Sequence, residues 1–290
     1  MRTRLVIALA SVSAAMLTAP PASASGHLLT GIAYVDQYTP PGPADRKEVS
    51  VDCPGTKVVV GSGFTIYNGN LRVVAESVEV TEHGVTVTAH EDETLSAPDW
   101  GLRARATCAN RPPGHQILTV PSPTGGGPSI PGVAACPDGK VVTGAGFILP
   151  ATGGELTLTR LIPSSKTVSA LVHEDDTGLA PNWFFRVTAI CSYPLQGLRV
   201  VTDDRDHDVD YQDEIVECPQ PGFALNPSGY FDGGGGDVRF SNFNAVSLPG
   251  ANFGSPTDFH LAAIGGSVDS DGARLPFEMT GMVTCADATL

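Results

Sequence analysis

The sequence is poor in basic residues, with 17 Lys and Arg against 31 Asp and Glu in 290 residues. Phosphate backbones and anionic membrane surfaces are bound by clustered Lys and Arg, so the formal charge of −14 argues against both kinds of partner. Charged residues make only 17% of the chain and aromatic residues 7%. The apolar content of 41% still suffices for a core, which argues against global disorder.

Motifs of common enzyme classes are also missing. The chain has no G-x-S-x-G nucleophile motif and no H-E-x-x-H zinc motif, and its glycine run Gly233–Gly236 leads into Asp237 instead of the Lys-Ser/Thr of a phosphate loop. Nothing in the sequence singles out a catalytic carboxylate pair among 31 acidic residues. We therefore expect no enzyme, and an extracellular hydrolase is only the third alternative for the function.

Long apolar runs are absent except at the N-terminus, where Leu5–Ala19 follows Arg2 and Arg4. This run of about 15 residues is shorter than the ~20 that a transmembrane helix needs. An A-x-A cleavage site follows at residues 22–24. The pattern predicts a secretory signal peptide over residues 1–24 and a secreted, extracellular protein without a membrane span. Removal of the signal peptide takes away Arg2 and Arg4, so the mature chain has 15 basic and 31 acidic residues and a charge of −16.

The strongest positive feature is an internal repeat. The segment Cys53–Phe64 aligns with Cys136–Phe147 at eight identical positions of twelve, and Ala89–Trp100 aligns with Val172–Trp183. A third, more divergent copy begins at Cys218. Repeats of this kind decide the architecture. We predict three units, spanning residues 27–114, 115–195 and 196–290.

The six cysteines follow the repeat and predict one disulfide per unit. The predicted pairs are Cys53–Cys108, Cys136–Cys191 and Cys218–Cys285, with sequence separations of 55, 55 and 67. The third unit therefore has an insertion, in which we place Gly233–Gly236. A metal site would need close pairs such as C-x-x-C, and the sequence has none.

The segment before each second cysteine alternates between apolar and polar residues. In the first unit Leu102, Ala104 and Ala106 share one face, while Arg103 and Arg105 share the other. Period-two alternation is typical of a half-buried strand. Three strand-rich units predict an all-β protein in which antiparallel sheets close into a β-prism, which would protect the sheet edges. Three small β-sandwiches in tandem are the alternative.

The repeat also resembles known sequences through the motifs C-P-x-G-x-x-V-x-G-x-G and E-D-x-T-x₅-W-x₇-C. The residues that carry them are Cys53, Pro54, Gly61, Gly63, Glu91, Asp92, Thr94, Trp100 and Cys108, with Cys136, Pro137, Gly144, Gly146, Glu174, Asp175, Thr177, Trp183 and Cys191 in the second unit. The pattern resembles a largely uncharacterised repeat of secreted actinobacterial proteins. More distantly, three disulfide-bounded units resemble the vitelline membrane outer layer protein I family, which implies a β-prism. That family is discussed as interacting with carbohydrate, but an architectural analogy does not transfer function.

A duplicated His-Glu-Asp sequence is the first candidate site. As a binding site, it would contact a sugar or a metal, with the tryptophans as stacking platforms. The candidate residues are His90, Asp92, Trp100, His173, Asp175 and Trp183. The alternative is structural, because a fold needs its turns and core packing in every unit whereas a site is needed once.

An acidic run is the second candidate site. Alternate carboxylates at Asp204, Asp206, Asp208 and Asp210 could bind Ca²⁺, which prefers oxygen ligands. The run lacks the glycine and bidentate Glu of an EF-hand, and such charge runs are usually solvated linkers.

We therefore expect a secreted, non-catalytic protein that binds extracellular or cell-wall material such as polysaccharide. The alternative is a secreted structural or protein-interaction factor, for example an inhibitor, that uses the Asn-, Gly- and Phe-rich stretch 226–260.

Overall fold

The computed structural model describes residues 26–69, 72–92, 97, 99–175, 178, 182–204, 211–246, 260–268 and 277–290, without the side chains of 204, 211–213, 246 and 268. The predicted signal peptide lies outside these ranges. The described residues form β-strands and a single 3₁₀ turn, Gly235–Asp237. In this part of the chain, no helix has the length and apolar character that crossing a bilayer requires.

Six strands fall within each predicted unit. The first unit has β1 (Ala33–Gly42), β2 (Arg46–Asp52), β3 (Val58–Tyr67), β4 (Val73–Val80), β5 (Gly84–Glu91) and β6 (Trp100–Ala109). The second has β7 (Gln116–Pro121), β8 (Ser129–Ala135), β9 (Val141–Ile148), β10 (Leu156–Pro163), β11 (Thr167–Glu174) and β12 (Arg186–Ser192). The third has β13 (Arg199–Asp204), β14 (Tyr211–Glu217), β15 (Gly222–Gly233), β16 (Val238–Val246), β17 (Leu261–Val268) and β18 (Phe277–Asp287).

These strands form three six-stranded antiparallel sheets, and each sheet combines strands of two units. Sheet I has the order β1-β6-β3-β16-β17-β14, sheet II β2-β5-β4-β9-β12-β7, and sheet III β13-β18-β15-β10-β11-β8. Every unit thus gives its first, third and sixth strands to one sheet and the other three to the next. The predicted all-β, three-unit, β-prism-like fold is confirmed. The alternative of three tandem sandwiches is wrong, because no unit closes on itself.

Each disulfide joins two sheets. In the first unit Cys53 directly follows β2 of sheet II, whereas Cys108 lies in β6 of sheet I, and the other two units repeat this arrangement. The predicted pairing is confirmed in all three units, with Cα–Cα distances of 5.7, 5.7 and 5.8 Å. The bridges hold together the two halves that each unit gives to different sheets.

The third strands of the three units approach one another at one end of the prism. The first two units have glycine at the closest point, and a Cβ atom on Gly61 would lie 2.0 Å from the carbonyl oxygen of Leu225. In the third unit, Asn226 occupies the equivalent register position. Its Oδ1 accepts hydrogen bonds from the backbone nitrogens of Ser62 and Ala145, both at 3.0 Å. One buried asparagine thus links all three units.

The inward faces of the sheets form the main core, which contains the large buried side chains Trp100, Phe64, Phe147 and Phe185. A smaller core closes one end, where residues 26–32 lie against the second and third units through backbone bonds such as that from His27 N to the oxygen of Pro194.

The extra residues of the third unit do not lie around Gly233–Gly236, where we predict them. Gly233 ends β15 and the glycine run continues into the 3₁₀ turn before β16, so that connection is short. The long connection runs from the end of β16 at Val246 to the start of β17 at Leu261. Placing Gly233–Gly236 in the inserted loop was therefore wrong.

Candidate functional site

The glutamate of each His-Glu-Asp sequence accepts a hydrogen bond from the tryptophan nine residues later. Trp100 Nε1 donates to Glu91 Oε1 at 3.0 Å and to the carbonyl oxygen of Ala44 at 2.9 Å. Trp183 Nε1 donates to Glu174 Oε1 at 2.6 Å. The two tryptophans are 0% and 4% exposed, so neither ring offers a surface for a stacking ligand in this structure.

The third unit replaces both members of this pair together. Val268 stands where the other units have glutamate, and Phe277, again nine residues later, stands where they have tryptophan. The loss of the N–H donor therefore coincides with the loss of its acceptor. Phe277 is buried like its two tryptophan counterparts. Such matched replacement is what interior packing requires, because an unpaired buried polar group is costly.

The two aspartates also bond within the protein. Asp92 lies in the interior, where its Oδ2 is 2.9 Å from Nη2 of Arg239 on β16, and both side chains are only 2% exposed. Asp175 Oδ1 accepts a hydrogen bond from the backbone nitrogen of Gly178 at 3.1 Å, as in an Asx-type turn. The first unit thus uses its aspartate to hold the third unit, and the second uses it to shape a turn.

The two histidines lie on different sheets. His90 is on the outward face of β5 in sheet II, and its Nδ1 contacts the carbonyl oxygen of Glu91. His173 is on the outward face of β11 in sheet III, where Nδ1 lies 2.8 Å from Thr159 Oγ1. Burial lowers the pKa of His173, and Arg160 adds to that effect. The structure therefore does not bring the two copies of the motif into one site.

The acidic run lies largely outside the described residues. Asp206, Asp208 and Asp210 are not described, and Asp204 is described only as the last backbone residue of β13. The Ca²⁺ hypothesis stays a prediction.

The outward face of sheet I has a cluster that the repeat does not duplicate. Arg103 lies on β6 between Tyr38 on β1 and Thr65 on β3, each in register with it, and Thr65 pairs in turn with Asn242 on β16. These side chains form a row across four strands and two units. The neighbouring row places Asp36 opposite Arg105. We call this cluster, with Tyr67, the sheet I face.

Ion pairs and an aromatic contact order the sheet I face. Asp36 lies 3.4 Å from Nε of Arg103 and 3.4 Å from Nη2 of Arg105. Arg103 also lies over the Tyr67 ring, with 5.0 Å between Cζ and the ring centroid. Burial raises the pKa of Tyr67, and the two arginines oppose that rise. Tyr38 is 59% exposed at the side of the cluster.

The two arginines of the sheet I face differ in what they bind. Arg105 Nη1 donates to the carbonyl oxygen of Ala245, which ties the first unit to the third, and its side chain is 13% exposed. Arg103 is 28% exposed, and its ion pair with Asp36 uses Nε. Among the described residues, the terminal nitrogens of Arg103 have no hydrogen-bond partner.

Equivalent positions in the other sheets carry different side chains. In sheet II the corresponding row is Pro121, Arg186 and Ile148. In sheet III it is Asp204, Thr280 and Tyr230. Arg105 is replaced by Thr188 and by Met282 at its equivalent positions. At these two register positions of the described strands, sheet I alone has arginine twice, so the fold itself does not require this pair.

The strand alternation correctly placed Arg103 and Arg105 on an outward face, yet sequence reasoning did not identify them as a site. The available signal was a difference between aligned copies, since Arg105 aligns with Thr188. The duplicated residues were the more conspicuous feature, and in both copies the glutamate and the tryptophan bond to each other within the protein.

No protein-family model matches this chain, and no match is found among curated proteins.

Proposed function

We propose that this protein is a secreted, non-catalytic binding protein for extracellular polysaccharide and that the sheet I face contacts the sugar. The observation that carries the proposal is the setting of Arg103: its terminal nitrogens have no hydrogen-bond partner among the described residues, Tyr38 lies beside it in register, and its guanidinium group lies over the Tyr67 ring. Guanidinium groups donate to sugar oxygens, and the exposed ring of Tyr38 offers an apolar surface for the C–H groups of a pyranose.

The composition of the face supports binding without hydrolysis. Asp36 is the carboxylate of the described cluster, and it is engaged by both arginines. Acid–base cleavage of a glycosidic bond commonly uses two carboxylates several ångströms apart. The sheet I face does not supply that pair.

The aromatic residues of stretch 226–260 give less support to a protein-interaction surface. Phe231, Phe240 and Phe243 are buried, and the first two stack with 4.3 Å between ring centroids. Phe253 lies outside the described residues. These three phenylalanine side chains are thus used in the core, whereas Tyr230 is only partly buried and lies against Arg160.

Retention on insoluble cell-wall and matrix polysaccharides tests the proposal. The mature protein should be retained, and Tyr38→Ala or Arg103→Ala should reduce retention at least about tenfold, as the loss of one strong contact does. Arg186→Ala is the matched control, because Arg186 has the same register position in sheet II. The proposal fails if no polysaccharide retains the protein, or if Tyr38→Ala and Arg103→Ala are retained as well as the Arg186→Ala control. A stoichiometric protein that co-purifies and is lost in Arg103→Ala would favour the protein-interaction alternative.

A further inference from the structure

The sheet I face has an excess positive charge. Arg103 and Arg105 share one carboxylate, that of Asp36. Burial lowers the pKa of Arg105; Asp36 counteracts this, while the neighbouring charge of Arg103 adds to the lowering. A second carboxylate next to Arg103 would balance the two guanidinium charges. The chain as a whole is strongly acidic, in contrast to this cluster.

The geometry of the unused donors suits a carboxylate. The terminal nitrogens of a guanidinium group form a planar fork that donates two parallel hydrogen bonds to the two oxygens of one carboxylate. Nε of Arg103 lies 3.4 Å from Asp36, and the two terminal nitrogens of that fork have no hydrogen-bond partner among the described residues. The Tyr67 ring supports the same guanidinium from another side. A held guanidinium loses less conformational entropy on binding than a mobile one.

We infer that the sugar unit bound at Arg103 is a carboxylated one, such as a uronic acid, with its ring against Tyr38. This inference rests on the proposed function and names the class of sugar. The predicted mature charge of −16 limits how densely charged the bound polysaccharide can be. A densely charged polyanion is repelled by the rest of the surface, whereas isolated carboxylates between neutral sugars meet the local positive charge. Long-range repulsion is also screened beyond about 8 Å at physiological ionic strength.

A matched pair of ligands tests the inference. The first probe is an oligosaccharide with one uronic acid unit among neutral sugars; the second is the same molecule with its carboxyl group reduced to a primary alcohol. Binding of the full mature protein is measured by calorimetry at 0.15 M salt. We expect the acidic probe to bind at least about tenfold more tightly than the reduced one, as the loss of a charge-assisted contact implies.

Variants connect that difference to Arg103. Arg103→Gln should remove the preference for the acidic probe, and Arg103→Lys should retain only part of it because an ammonium group lacks the planar fork. Arg186→Gln, at the equivalent exposed position of sheet II, should keep the full preference. Thermal unfolding of each variant shows that it is folded.

The outcomes separate the two proposals. If both probes bind equally and Arg103→Gln weakens both, the polysaccharide function stands and the carboxylate inference is overturned. If the preference for the acidic probe survives in Arg103→Gln, the assignment to this residue is overturned. If neither these probes nor the insoluble polysaccharides bind, the proposed function fails as well.

Discussion

Trp100 Nε1 lies 3.0 Å from Glu91 Oε1 in the interior, and Trp183 and Glu174 repeat this bond at 2.6 Å in the next unit. In the third unit, valine and phenylalanine occupy the two positions. At these two aligned positions the sequence therefore contains both a polar pair and an apolar pair. The energetic coupling between Trp100 and Glu91 can therefore be tested by replacing them with the phenylalanine and valine of the third unit.

The first prediction concerns that coupling. Trp100→Phe removes the indole donor from buried Glu91 and should lower the free energy of unfolding by about 1–3 kcal/mol beyond the loss of ring area. The double variant Trp100→Phe with Glu91→Val reproduces the third unit's pair. It should cost at least about 1 kcal/mol less than the sum of the single variants. Urea unfolding of the four proteins gives the coupling energy, and strictly additive effects would contradict it.

The second prediction concerns the buried ion pair of Asp92 and Arg239. Both side chains are 2% exposed, so Asp92→Asn removes a carboxylate charge that lies 2.9 Å from the buried guanidinium group of Arg239. Removal of one partner of such a pair costs about 3–5 kcal/mol. Denaturant unfolding measures the effect. Replacing both residues, with Asp92→Asn and Arg239→Met, should recover a large part of the loss.

A surface pair supplies the control for this experiment. Arg160 and Asp232 lie 4.0 Å apart, but their side chains are 42% and 76% exposed. Solvent screening limits such a pair, so Asp232→Asn should change stability by less than about 1 kcal/mol. Equal effects of Asp92→Asn and Asp232→Asn would show that the interior pair has no special energetic role.

Local features of the fold were predictable because they depend on residues that are close together in the sequence. The alternation around Arg103 and the repeated cysteines gave the strands, their faces and the disulfides. The exchange of strands between sheets was not predictable in detail, since it depends on contacts between distant segments. Asp92 and Arg239 are 147 residues apart and belong to different units. The sheet I face was not predictable for the same reason, because its residues come from strands as distant in the sequence as β1 and β16.

The third prediction concerns pH. His115 Nε2 lies 2.8 Å from the carbonyl oxygen of Val59 and Nδ1 lies 3.4 Å from Arg111 Nη1, an arrangement that suits a neutral ring. Burial lowers the pKa of His115, and the hydrogen bond to Val59 partly offsets this. The pKa of His173 is lowered in the same direction by burial and by Arg160.

The sign of the effect follows from these directions. Both histidines have folded-state pKa values below the ordinary value of about 6.5, so the unfolded chain binds more protons as the pH falls below that value. Their contribution to stability is complete above about pH 7 and is lost as the pH falls through 6.5 toward the folded-state pKa. Unfolding curves between pH 7.5 and 5.5 should show this decline. The double variant His115→Gln and His173→Gln should flatten it; a decline parallel to that of wild type would assign it to other groups.

The last prediction concerns Asn226, which bonds to two other units where their own strands have glycine. Asn226→Gly makes the third unit resemble the first two at this position, yet it removes the acceptor of the Ser62 and Ala145 backbone nitrogens. Two buried donors without an acceptor should lower the free energy of unfolding by about 2–4 kcal/mol, measured by urea denaturation. The reciprocal change Gly144→Asn should also destabilise, because a Cβ atom there would lie 2.8 Å from the carbonyl oxygen of Val60. A neutral surface substitution changes the free energy of unfolding by no more than about 0.5 kcal/mol. If Asn226→Gly has an effect that small, the asparagine does not hold the three units together.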